Sequence, residues 1–156
     1  PGQDKGKSYI EHQAEQSGTS YKAKLRAAVE SAIHEGMEHF ICGMAEGCDL
    51  YFAETVLALK STYPHITLEA ASPCPSQADG WGERQKARYR NILSRCDYET
   101  MVQQSYTPGC MQRRNRYMVD HASLLIAVND GARGGTRSTI EYAFKRGVNV
   151  LDIPLD

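Results

Sequence analysis

Two stretches constrain this chain more than any other: Gly43-Met44-Ala45-Glu46-Gly47-Cys48-Asp49 and Asp130-Gly131-Ala132-Arg133-Gly134-Gly135-Thr136. Each follows a short apolar run (Phe40-Ile41-Cys42 in one case, Leu124 to Val128 in the other) and gives way to an amphipathic helical pattern. A glycine turn between a strand and a helix lets backbone come close to a ligand and aims unpaired helix N–H groups at it. The helix dipole adds to this, and the result suits an anion, most often a phosphate. One such turn is weak evidence, because glycine also serves plain tight turns. Two within 156 residues point to a nucleotide-like ligand.

The alternation around these turns sets the fold class. Apolar positions recur at helical spacing over 21–35, where Gly36 is a natural stop, and again over 48–63, closed by Pro64. Further helices are expected over 83–95, 111–121 and 136–146, with strands over 39–43, 66–71, 98–103, 124–128 and 148–153. A loop over 72–82 carries the single tryptophan, Trp81. Strands alternating with helices imply parallel pairing through helical crossovers, a three-layer α/β/α Rossmann-like sandwich with a mostly parallel sheet. Residues 1–19 are polar, with Tyr9 and Ile10 as neighbouring apolar side chains, and are expected to be a flexible tail before a single domain over 20–156. A sheet of this type normally opens on a strand ahead of its first helix, and 1–19 does not supply one. Because the chain opens on Pro1, what precedes it is left open.

Composition narrows the partners. A net charge of −1 gives no general attraction to nucleic acid or an anionic membrane. No apolar run reaches the roughly 18 residues of a bilayer span, and no signal peptide is apparent. Five cysteines in an odd count, with no Cys-x-x-Cys, fit a reducing cytoplasm rather than a disulfide framework. The five histidines show no ligand spacing, so no metal is expected.

The segments Ile41 to Asp49, Pro73-Cys74-Pro75, Arg88 to Leu93, Pro108 to Asp120 and Asp130 to Ala143 carry a family resemblance. The first resembles the G-x-A-x-G-x-D turn of the DNA-processing protein DprA. Together they resemble most closely the YpsA-like family, in the SLOG superfamily that joins DprA-like and Lonely-Guy-like proteins. The resemblance covers about residues 37–153. It implies a Rossmann-like fold with a nucleotide-derived ligand, and a first strand ending in a Gly-His-Arg turn that this chain does not show.

Candidate site residues follow. In the first turn they are Gly43, Met44, Ala45, Gly47 and Asp49. Asp49 reads first as a helix N-cap and second as a partner of a ribose hydroxyl. In the second turn they are Asp130, Gly134, Gly135 and Thr136, the better phosphate site, with two adjacent glycines and a hydroxyl opening a helix. Arg113, Arg114 and Arg116 crowd the start of a helix, where positive charge is mildly unfavourable, so an anionic partner is expected for at least one. Arg113, Asn115 and Arg116 are the candidates, the last two because they lie in the most YpsA-like segment. Gln77 and Trp81 in the 72–82 loop complete the set; Trp81 either stacks on a base or packs its loop onto the next helix. Aligning the Lonely-Guy pattern P-G-G-x-G-T-x-x-E on Gly134 and Gly135 places Glu141 on its glutamate, although Arg137 and Ser138 stand where that pattern has Gly and Thr.

Three functions are therefore open. The leading one is a cytoplasmic module binding a nucleotide or nucleotide derivative, a sensor rather than a catalyst, since no Gly-x-Ser-x-Gly or metal cluster is present. No cofactor is required beyond the bound nucleotide, and self-association is left open. The second is a phosphoribohydrolase cleaving the N-glycosidic bond of a nucleoside monophosphate, with Glu141 and Arg116 as catalytic residues. The third, a DprA-like binder of single-stranded DNA, is disfavoured by the near-neutral charge.

Overall fold

The computed structural model describes residues 20–129 and 135–154. The expected 1–19 tail, and Asp130 and Gly134 of the second turn, lie outside the described residues. Helices and strands alternate as α1 (Ser20–His34), β1 (His39–Cys42), α2 (Cys48–Leu59), β2 (Thr67–Ser72), α3 (Glu83–Arg95), β3 (Tyr98–Met101), α4 (Cys110–Asp120), β4 (Leu124–Asn129), α5 (Gly135–Lys145) and β5 (Asn149–Pro154). This is the α/β Rossmann-like alternation expected from the sequence.

All pairings are parallel. One sheet runs β1-β2-β3, with His39 opposite Thr67 and Glu69 opposite Tyr98. The other pairs β4 with β5, Leu124 opposite Asn149. Helices α1, α2 and α3 pack side by side on one face, and α4 against α5 on the other. The main core lies under α1 and α2, where Val29, Leu50, Ala53 and Val56 meet Phe40, Leu68 and Ala70 of the first sheet. Fully burying side chains of this size contributes about 1.5–3 kcal/mol each.

Local signals explain the boundaries. Gly36 takes φ 100° after α1, and the N–H of Met37 returns to Ala32 O at 3.0 Å, closing the helix with a left-handed cap. The second helix is shorter than the expected 48–63. It stops at Leu59 and continues as a turn in which Tyr63 N–H reaches Leu59 O at 2.8 Å. Pro64 disfavours helical backbone at Tyr63 and so loosens that last turn. The other expected elements hold to within one or two residues at each end.

The two sheets run in the same sense. Tyr21, Leu25 and Ala28 from the first half of α1 pack with Ile126, Val128 and Ile153, while Leu124 joins the cluster around Val29, Ala32 and Ile33. Since α1 runs opposite to β1, the carboxyl ends of β1 and β4 lie at the same rim. Among the described residues no ladder joins β1 to β4.

Candidate site at the carboxyl ends of β1 and β4

A cavity of about 440 Å³ opens between the two sheets. Gly43, Ala45, Glu46 and Asp49 line it from the turn after β1, and Gly135, Thr136 and Thr139 from the start of α5. The two turns singled out in the sequence thus converge on one space, as far as the described residues reach.

The turn after β1 is braced from behind, chiefly by Arg114. This guanidinium is fully buried; its Nη1 donates to the Gly43 carbonyl and, at 3.1 Å, to Gln77 Oε1, and its Nε donates to Asn115 Oδ1 at 2.8 Å. Gln77 Nε2 in turn donates to Met44 O at 3.2 Å. The close packing also accounts for Gly43. A Cβ there would lie 2.9 Å from Arg114 Nη1 and 3.0 Å from Asp49 Oδ2. Gly43 therefore makes room for the protein's own side chains, not only for a ligand.

Asp49 does not cap the helix. Gly47, at φ 112°, is the N-cap of α2 and makes no side-chain cap bond, whereas Asp49 is the second helical residue. Its Oδ2 accepts from Ala45 N–H at 3.1 Å, folding the turn back onto the helix. Met44 sits inside this fold, fully buried at φ 58°. Burial pulls the Arg114 guanidinium below the usual arginine range, and the Asp49 charge works against that pull. Arg114 Nη2 has no hydrogen-bond partner among the described residues.

At the opposite turn, Thr139 Oγ1 donates to Gly135 O at 2.7 Å, and no acidic residue occupies the first turn of α5. Its unpaired N–H groups and the Thr136 hydroxyl form a side that favours anions. The β1 side carries Glu46 and Asp49 and has the opposite character, suited to accepting hydrogen bonds from hydroxyls.

Residues 10–149 match the family model YpsA, described as the YspA SLOG family. The chain belongs to the YpsA family. It is 35% identical over 137 residues to the SPbeta prophage-derived protein YoqJ of Bacillus subtilis (strain 168), covering 80% of each chain. It is 27% identical to a UPF0398 protein of Bacillus pumilus (86% of this chain, 72% of the relative) and 30% identical to one of Halalkalibacterium halodurans (82% and 69%). Membership of the YpsA family points to a nucleotide-related binding or processing domain, and none of these relatives' names states an activity.

Within this YpsA-family chain the other candidates separate into two groups. Asn115 lines the cavity; Arg113 and Arg116 do not. Arg113 is exposed and donates to Gln103 Oε1 at 2.9 Å, and Arg116 stands over the Tyr142 ring at 5.3 Å. Glu141 is an exposed helix-surface carboxylate 3.4 Å from Arg137 and lies outside the cavity. Trp81 packs edge-on to Tyr89, ring centroids 5.4 Å apart, and holds its loop on α3. Met44, Gly47 and Gln77 shape the first turn without facing the cavity.

Two features escaped the sequence reading. Arg114 is one; it lies four residues after Cys110, on the buried stripe of α4 that also holds Val119, and that spacing was its available signal. The other is Glu69, a buried carboxylate in β2. It accepts from Tyr117 OH at 2.6 Å, Thr100 Oγ1 at 2.8 Å and His39 Nε2 at 2.8 Å. Burial alone would raise its pKa, but the hydrogen bonds from Tyr117, His39 and Thr100 outweigh it and hold the carboxyl below its usual range. Among the described residues no group of three His, Cys, Asp or Glu side chains is placed to hold a metal, and no helix is long and apolar enough to cross a membrane.

Proposed function

We propose that this protein is a cytoplasmic module that binds a nucleotide or nucleotide derivative at the shared rim of β1 and β4. The observation that carries the reading is that the turn Gly43–Asp49 and the first turn of α5 line one cavity at the carboxyl ends of two strands running in the same sense. Ligands of open α/β sheets sit at this end, where the connections diverge. The phosphate belongs with the N–H groups of Gly135 and Thr136, and the ribose hydroxyls with Asp49 and Glu46, an assignment that follows the charge on the two sides. Glu141 and Arg116 stand away from the cavity, which favours holding the ligand over cleaving it.

A thermal-shift series with AMP, ADP, NAD and ADP-ribose tests this. At about a hundredfold excess over Kd a ligand adds about 2.7 kcal/mol, which raises Tm by roughly 5–10 °C for a protein of this size. Thr136→Val, which removes the hydroxyl and keeps the shape, should weaken the best ligand about tenfold. No shift with any of the four at millimolar concentration overturns the proposal.

A further inference from the structure

The same cavity extends well below the rim. It follows β1 back through Glu38 and Met37 and β4 back through Ser123, Ala122 and His121, so it runs the whole length of both strands. Each of these strands is paired along one edge only among the described residues, β1 to β2 and β4 to β5. Along their facing edges, alternate residues of a parallel ladder present N–H and C=O groups that require partners in a buried setting. Both faces of the space are covered: Leu25 and Phe52 close it from α1 and α2, and Met118 and Val119 from α4.

A slot walled by two strand edges running in the same sense, and roofed on both sides by helices, has the shape of a strand. We infer that it is filled by an extended segment of the same polypeptide, parallel to β1 and β4, which joins the two sheets into one. The connectivity identifies where that segment belongs. Each step from β1 to β2 and β2 to β3 passes through a helix on the α1–α2–α3 face, and α1 lies on that face next to β1. A strand leading into α1 and crossing over to β1 in the same right-handed sense falls in the slot. From β3 the chain returns through α4 on the opposite face to β4, on the far side of it.

A strand buried on both faces needs a nearly continuous apolar run. Residues 1–19 contain Tyr9 and Ile10 as their adjacent apolar pair, so the filling segment lies ahead of them. The matched part is 80%, 72% and 69% of the three relatives named above, which leaves them length for such a segment. Fully extended, 19 residues reach up to ~60 Å, ample to connect the strand to Ser20. The carboxyl end of the strand would emerge between Gly43 and Gly135, adding a third wall to the rim.

The test uses the 156-residue chain with Lys-Val-Val-Ile-Val-Thr fused before Pro1. A control fusion has prolines at the second and fourth positions, which cannot donate to a ladder. Hydrogen exchange is followed at the amides of 39–42 and 124–128 without nucleotide, so the outcome is independent of ligand binding. The strand fusion should slow exchange in both segments about tenfold or more over the unextended chain, and the proline fusion should not. Equal exchange in all three proteins overturns the inference, as does equal protection by the proline fusion. Protection that grows with protein concentration would move the strand into a second copy and overturns it likewise.

Discussion

Replacing Arg114 with methionine tests the idea that one buried cation organises the turn after β1. The substitution roughly keeps the volume of the side chain, so packing is not the main loss. Three acceptors lose their donor: the carbonyl of Gly43, Gln77 Oε1 and Asn115 Oδ1. The buried Gly43 carbonyl has no access to water, and leaving it unpaired costs about 1–3 kcal/mol. The two amides are half-buried and recover part of their bonding from solvent, so each contributes about 1 kcal/mol. Relief comes from removing a desolvated charge whose Nη2 is itself unpartnered, worth about 2 kcal/mol, and it is partly cancelled by stranding the Asp49 carboxylate. The net loss is about 2–3 kcal/mol. In urea, with a slope of about 2 kcal/mol/M, the unfolding midpoint should fall by roughly 1–1.5 M with the slope unchanged. A midpoint within a few tenths molar of wild type, or above it, would show that apolar packing serves as well, as it does for some buried ion networks, and would refute the reasoning.

Gly43→Ala should destabilise by about 1–3 kcal/mol, read by thermal unfolding, because its Cβ would lie 2.9 Å from the pinned Arg114 Nη1. Glu69 has a folded pKa held below its usual 4.5, so its stabilising contribution is complete above that value and is lost as pH falls through the lower folded value. Glu69→Gln should therefore flatten the acid limb of a stability-versus-pH curve, and an unchanged limb would contradict the role given to Tyr117, Thr100 and His39. Trp81→Ala should lower stability by roughly 1–3 kcal/mol through loss of the Tyr89 contact, yet leave nucleotide affinity within about twofold in calorimetry. Glu141→Gln should change neither stability by more than about 0.5 kcal/mol nor nucleotide affinity, given its exposed position.

The order of elements was legible because strand and helix periodicities are strong here, and Gly36 marks a stop that the structure uses. The two turns were legible as a pair because each combines glycine with an apolar run before it. What lay behind them was not. Arg114 reads as one of three charges at a helix start, and only its place on the Cys110–Val119 stripe separates it from its exposed neighbours Arg113 and Arg116. Asp49 has a capping residue's composition and position to within two residues, but its carboxylate is captured by the Ala45 N–H across the turn. Glu69 sits in a strand whose neighbours Leu68, Ala70 and Ala71 are all buried. Its partners come from β1, β3 and α4, distant in sequence, and no local pattern announces them. Trp81 resolved toward packing because Tyr89 on the next helix offers a ring closer than the cavity does.

The central claim is that the two turns grip a single ligand from opposite sides. Backbone NMR of the protein titrated with AMP tests it most directly, through the amide shifts of residues 43–49 and 135–139. The account predicts that both groups move together on one binding curve, with the largest changes at Gly135 and Thr136. Movement confined to one turn, or centred on Arg116 and Glu141 with both turns silent, would contradict it.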